Sequence, residues 1–229
     1  MKDHNNLTTL VPQGVIKRIK AHFNESIDEA VKRHRFNKAK EDGLTGGLVQ
    51  AMAMPEHLVS VVEGAKYSFA VEVYTILGNG PGTPEKRTGA DGIFQIIVRH
   101  DGKEIFSKGL PFQSKRGDQY TPKSVEKQAK TMFESSGSGI VLRFTDKEYD
   151  AEDVRHEMND HDKQELPTEP GFHPLGTVLG DWFLQCQIGK LGLTFDEKEP
   201  DPNKEKDPKK ENKRGFWVVS TVITETDIT

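Results

Sequence analysis

The chain has 229 residues, 34% hydrophobic and 30% charged, and 32 Lys and Arg against 36 Asp and Glu leave it at −4, which excludes a passive nucleic-acid coat while leaving room for an enzyme with a local basic groove. The single cysteine, Cys186, excludes an intramolecular disulfide and a Cys-rich zinc module, as fits a reducing cytoplasm. No run approaches the roughly 18 apolar residues of a membrane span, and the opening MKDHNNLTT lacks the apolar core of a signal peptide, so the expectation is a soluble, cytoplasmic protein without a membrane partner.

From Gly14 onward Val15, Ile19, Phe23, Ile27 and Val31 recur every four residues, which predicts one helix. A second is expected from about Asn37 to a stop at Met54-Pro55. SFAVEVYTIL (Ser68 to Leu77) predicts a strand, and GNGPG (Gly78 to Gly82) a loop without the Gly-Lys-Ser/Thr ending of a phosphate loop. A strand over Ile93 to Val98 and a hairpin turn at His100-Asp101-Gly102-Lys103 come next. Further strand material, broken at Gly109, runs over Glu104 to Phe106 and Leu110 to Lys115. Ser124 to Glu134 reads as a helix and Gly139 to Phe144 as an apolar strand, giving a mixed α/β sandwich.

Asp146 to Gly171 is charged and reads as a loop or an exposed helix, and Pro174 to Ile188 has helical spacing. Asp196 to Arg214 is nearly all charge and proline. GFWVVSTVI (Gly215 to Ile223) predicts a last strand that needs a sheet edge. Residues 1–145 form the expected core with its N-terminal helices, and 146–229 a helix-strand extension of the same domain with a charged loop at 196–214.

The stretch TGADGIFQIIVRHDGKEIFSKGLPFQSKR (Thr88 to Arg116) carries the chemistry. Asp91 stands at the entrance of a strand, and a hairpin later Gln113 and Lys115 lie two apart, on one sheet face by strand periodicity. If the two strands are neighbours, a carboxylate, an amide oxygen and an ammonium converge, which suits a hard divalent cation with a positioned water. Taken singly, Asp91 also suits a turn or cap, and Gln113-x-Lys115 an exposed edge strand.

Gly89-Ala90-Asp91 followed by Gln113-Ser114-Lys115 resembles the PD-(D/E)xK nuclease superfamily, in the branch whose motif reads Gly-Ala-Asp and then Gln-x-Lys. The likeness covers roughly Glu41 to Phe144, with Gln113 standing where the commoner pattern has a second acid. It implies a restriction-endonuclease-like mixed sheet flanked by helices. It also implies a metal-dependent nuclease hydrolysing phosphodiester bonds of DNA, in bacterial or phage defence. The implied catalytic set is Asp91, Gln113, Lys115 and, from an upstream helix, Glu41, with Asp42 a competing choice. Mg²⁺ or Mn²⁺ would be held by Asp91, Glu41 and Gln113. Arg116, Lys108, Lys123 and Lys127, with Lys130 nearby, are the candidate contacts to backbone phosphates. Cutting both strands of a duplex calls for two active sites, which a homodimer or a defence complex would supply. The alternative is a catalytically silent subunit of a defence complex with the same fold, binding nucleic acid or a protein partner. Outside this stretch, His156 and His161 in HEMNDHD are too far apart on a helix to share a metal, and Cys186, Trp182 and Trp217 read as core.

Overall fold

The last long strand, β9 (Phe216–Asp227), lies in the middle of the sheet, not at its edge. The computed structural model describes residues 6–34, 40–62, 65–76, 83–158, 166, 168–195 and 215–227. The GNGPG loop, His161 of HEMNDHD and the charged stretch 196–214 lie outside them. β9 pairs antiparallel with β2 (Ala65–Ile76) and parallel with β3 (Gly92–His100). β3 forms a hairpin with β4 (Lys103–Arg116), and β5 (Ile140–Phe144) runs parallel to β4. With β1 (Met54–Val62), β6 (Tyr149–Asp153) and β7 (His173–Pro174) the order is β1-β2-β9-β3-β4-β5-β6-β7, and β8 (Lys190–Leu191) pairs with β4 beside β5. β9 occupies the interior because Phe216, Val218, Val219, Val222 and Ile223 are buried on both of its faces, a pattern that an edge strand cannot satisfy.

Helices cover both faces, giving a mixed α/β architecture. One core contains Ile140, Leu142 and Val219 and is closed by α2 (Gln13–Arg33) and α3 (Glu41–Met52), after the short α1 (Leu7–Leu10). Their alternating neighbours Val141 and Val218 face a second core under α5 (Pro122–Ser136), as strand periodicity requires. Val15, Ile19, Phe23 and Ile27 are the buried stripe of α2, as their spacing predicts. α5 starts with a reciprocal Thr121/Ser124 capping box and Pro122, and stops at Gly137 with φ +68°.

Other departures have physical causes. β4 does not break at Gly109; a side chain there would meet the Leu193 carbonyl oxygen at 2.3 Å and Ile93 Cδ1 at 2.6 Å, so glycine lets β8 approach an unbroken strand. Part of the charged region 146–171 is strand β6, with Tyr149 and Ala151 buried and the Asp150 carboxylate held by Arg143. Pro174 to Ile188 holds a single α-helical turn at Leu175–Thr177, followed by π-helical turns over Val178–Phe183. No helix among the described residues is long and apolar enough to cross a membrane.

Lys108 corrects an expectation. It is 2% exposed, donates from Nζ to the Phe183 carbonyl oxygen at 3.1 Å, and lies 5.1 Å over the Phe183 ring, so it does not face a phosphate backbone. Burial pulls its pKa down to about 8. In the unfolded chain the amine titrates near its ordinary value of about 10.4. Below pH 8 both states are charged and the burial cost is constant. Between about pH 8 and 10 the unfolded state binds more protons, so stability rises with pH. Lys108→Met lacks this term; in urea unfolding at pH 7 and pH 10, wild type should gain on the variant by up to about 3 kcal/mol at the higher pH.

Candidate functional site

Asp91 is fixed at its backbone before its side chain does anything. Its N–H donates to the Phe112 carbonyl oxygen at 2.8 Å, and its carbonyl oxygen accepts from Trp217 N–H at 2.9 Å, so β4 and β9 clamp the entrance of β3. Gly89, at φ +71°, and Gly92 permit the clamp. A side chain at Gly92 would meet the Trp217 carbonyl oxygen at 2.5 Å and Phe112 Cζ at 2.6 Å. With Gly92 opposite Phe112, Asp91 stands against Gln113 across the hairpin.

The Asp91 carboxylate accepts three hydrogen bonds on Oδ2: from Gln113 Nε2 at 2.6 Å, Ser114 N–H at 2.8 Å and Ser114 Oγ–H at 2.7 Å. Charge-assisted bonds of this length hold the group tightly. Gln113 therefore offers its amide nitrogen here, not the oxygen foreseen as a ligand. The donor faces the carboxylate because two oxygens would repel, and an oxygen could reach a cation only if the amide turned over.

Lys115 does not join Asp91. Its Nζ pairs at 3.2 Å with Oε1 of Glu41 in the first turn of α3, and the two side chains are 16% and 14% exposed. Two hydroxyls bridge the Asp91 group and the Lys115–Glu41 pair. Thr45, one turn along α3 from Glu41, lies 3.1 Å from the Glu41 carbonyl oxygen and 3.0 Å from Ser114 Oγ. Because the Ser114 proton goes to the Asp91 carboxylate, the Thr45 proton is the one available to Ser114. Thr45 and Ser114 are each 2% exposed, so this relay is part of the core. Neither hydroxyl stands out in the sequence, where the signals are a small polar residue inside an apolar strand and a threonine four residues from Glu41.

Hard divalent cations take carboxylate oxygens. Asp91 Oδ1 and Glu41 Oε2 take no hydrogen bond or ion pair among the described residues, so each acid keeps one uncommitted oxygen. Asp42 is exposed, unlike Glu41, and Glu85 is half-buried on the short helix α4 (Pro84–Thr88). Of the cationic residues, Lys123 and Lys127 are exposed on α5 with no ion pair among the described residues. Arg116 is held by Asp118 at 2.6 Å, and Lys130 lies 3.8 Å from Glu134. His156 bonds Thr168 at 2.9 Å, a structural role.

Thr45→Val deletes the donor to Ser114 while keeping the shape. It should cost about 1–2 kcal/mol in urea unfolding, and Thr45→Ser should restore most of it. Comparison with known proteins finds no matching family model, curated protein or solved structure.

Proposed function

We propose that the chain is a Mg²⁺-dependent nuclease that hydrolyses phosphodiester bonds of DNA, on a restriction-endonuclease-like sheet. The observation that carries this reading is the meeting of Asp91 with Gln113 and Ser114 across the β3–β4 hairpin, next to a Lys115–Glu41 pair delivered by α3. Asp91 and Glu41 are the residues that would hold the cation, through their uncommitted oxygens. Bound there, Mg²⁺ supplies Lewis-acid polarisation of a phosphate and a more acidic water. The chain's own part is positioning. Three donors keep Asp91 in one rotamer, and the strand clamp keeps its backbone from retreating. Lys115, freed from Glu41, is an ammonium able to bond a phosphoryl oxygen as negative charge builds there. Lys123 and Lys127 offer a sequence-independent grip on backbone phosphates, and Arg116 a further one if it leaves Asp118.

A second reading is favoured by one feature: the amide and the ammonium of the cluster already have protein partners. Gln113 bonds Asp91 and Lys115 bonds Glu41, so the same fold can serve as a nucleic-acid-binding or interaction subunit without catalysis.

Supercoiled plasmid incubated with Mg²⁺ separates them. Nicking by wild type that stops in EDTA and falls at least about 100-fold in Asp91→Ala and Lys115→Ala supports the nuclease. Equal nicking by all three proteins sinks it. DNA binding that weakens with salt and survives Asp91→Ala, with no nicking, favours the binding subunit.

A further inference from the structure

β3 ends, far along the strand from Asp91, in the Asp101-Gly102 turn, and a second set of ligating side chains gathers there. One ligand atom from each of His100, Asp101 and Asp227 lies within 4.8 Å of the others. The sheet brings them together. β9 runs parallel to β3 with Glu225 opposite His100, so Asp227, two residues on, reaches the level of the turn. Asp101 is anchored to β9 by its backbone N–H, which donates to the Glu225 carbonyl oxygen at 3.1 Å, and takes φ +48°.

The imidazole of His100 has a carboxylate on each side. Nδ1 is 3.2 Å from Glu225 Oε2, and Nε2 is 3.6 Å from Asp101 Oδ2. Nδ1 is buried yet makes no aligned hydrogen bond, an unmet requirement for a ring nitrogen. Glu225 is in turn oriented by Tyr67, whose hydroxyl donates to Oε1 at 2.5 Å. Three carboxylates thus surround one imidazole, and among the described residues no lysine or arginine pairs with Asp101, Glu225 or Asp227. A carboxylate behind a histidine fixes which nitrogen is free to ligate, the outer arrangement that metal-binding histidines use. An imidazole among carboxylates also selects a class of ion. Mg²⁺ and Ca²⁺ prefer oxygen alone, whereas mixed nitrogen and oxygen donors suit Zn²⁺ and its neighbours.

We infer that this corner of the sheet is a binding site for a Zn²⁺-class divalent ion, with His100, Asp101 and Asp227 as ligands and Glu225 orienting the histidine. Such an ion ties the β3–β4 turn to the end of β9 and offsets the surplus negative charge of the corner. The inference is independent of the nuclease reading, because none of its residues belongs to the Asp91 cluster.

The test is calorimetric titration of the full chain with ZnCl₂, paired with thermal unfolding with and without the ion. The expected result is a site whose affinity is the same in wild type and in the double variant Asp91→Asn, Glu41→Gln. That affinity should fall at least about tenfold in His100→Ala and in Asp227→Asn, and about 10- to 100-fold in Glu225→Gln. Zn²⁺ should raise the melting temperature of wild type but not of His100→Ala, whose melting temperature without the ion shows that it still folds. No binding at millimolar Zn²⁺, affinity unmoved by His100→Ala, or a site lost only in the Asp91 and Glu41 double variant would each overturn it.

Discussion

The insertion of β9 between β2 and β3 is the constraint on which the rest of the structure depends. β9 is hydrogen-bonded along its length to β2, from Phe216 opposite Ile76 to Asp227 opposite Ala65, and to β3 from Trp217 opposite Gly92 to Glu225 opposite His100. Because β2 and β3 do not touch as neighbours, β9 is the strand that joins them into one sheet. Closing contacts between residues so far apart in sequence costs loop entropy, and the buried β-branched run of β9 must offset that cost.

Both ends of β3 inherit their geometry from this insertion. At the entrance, Trp217 N–H holds the Asp91 carbonyl, and Gly92 leaves room for the Trp217 backbone. At the exit, Glu225 and Asp227 come alongside His100 and Asp101. One strand thus positions two carboxylate-rich sites about nine residues apart, roughly 30 Å along an extended chain, and nothing in their chemistry overlaps.

Between them several buried polar side chains are paired inside the core. Gln95 spans from Ser220 Oγ to the backbone of Phe195, accepting from the Phe195 N–H at 3.0 Å and donating to its carbonyl oxygen at 3.2 Å. Asp153, 1% exposed, takes a forked guanidinium from Arg155 and a hydroxyl from Thr168. Ser114 and Thr45 are paired too, beside Asp91. A buried polar side chain without a partner would cost about 1–3 kcal/mol, so these pairings narrow the sheet to one register. Lys108 is the exception in kind, an amine kept in the core by one carbonyl and one aromatic ring at the expense of its proton affinity.

Local pattern alone determined α2, α3, α5, the β3–β4 hairpin with its Asp-Gly turn, and the placing of Asp91 against Gln113, because helical spacing, capping and turn chemistry are short-range. It did not reveal that β4 passes unbroken through Gly109, that a strand begins at Met54-Pro55, or that Asp150 and Asp153 are interior, since each depends on what the neighbouring strand supplies. Neither could it tell that Lys108 is buried, that Lys115 turns to Glu41 while Asp91 takes Ser114, or that His100 meets Asp227. Those outcomes were decided by the tertiary structure, through the position of one strand whose apolar faces could be satisfied only in the middle of the sheet.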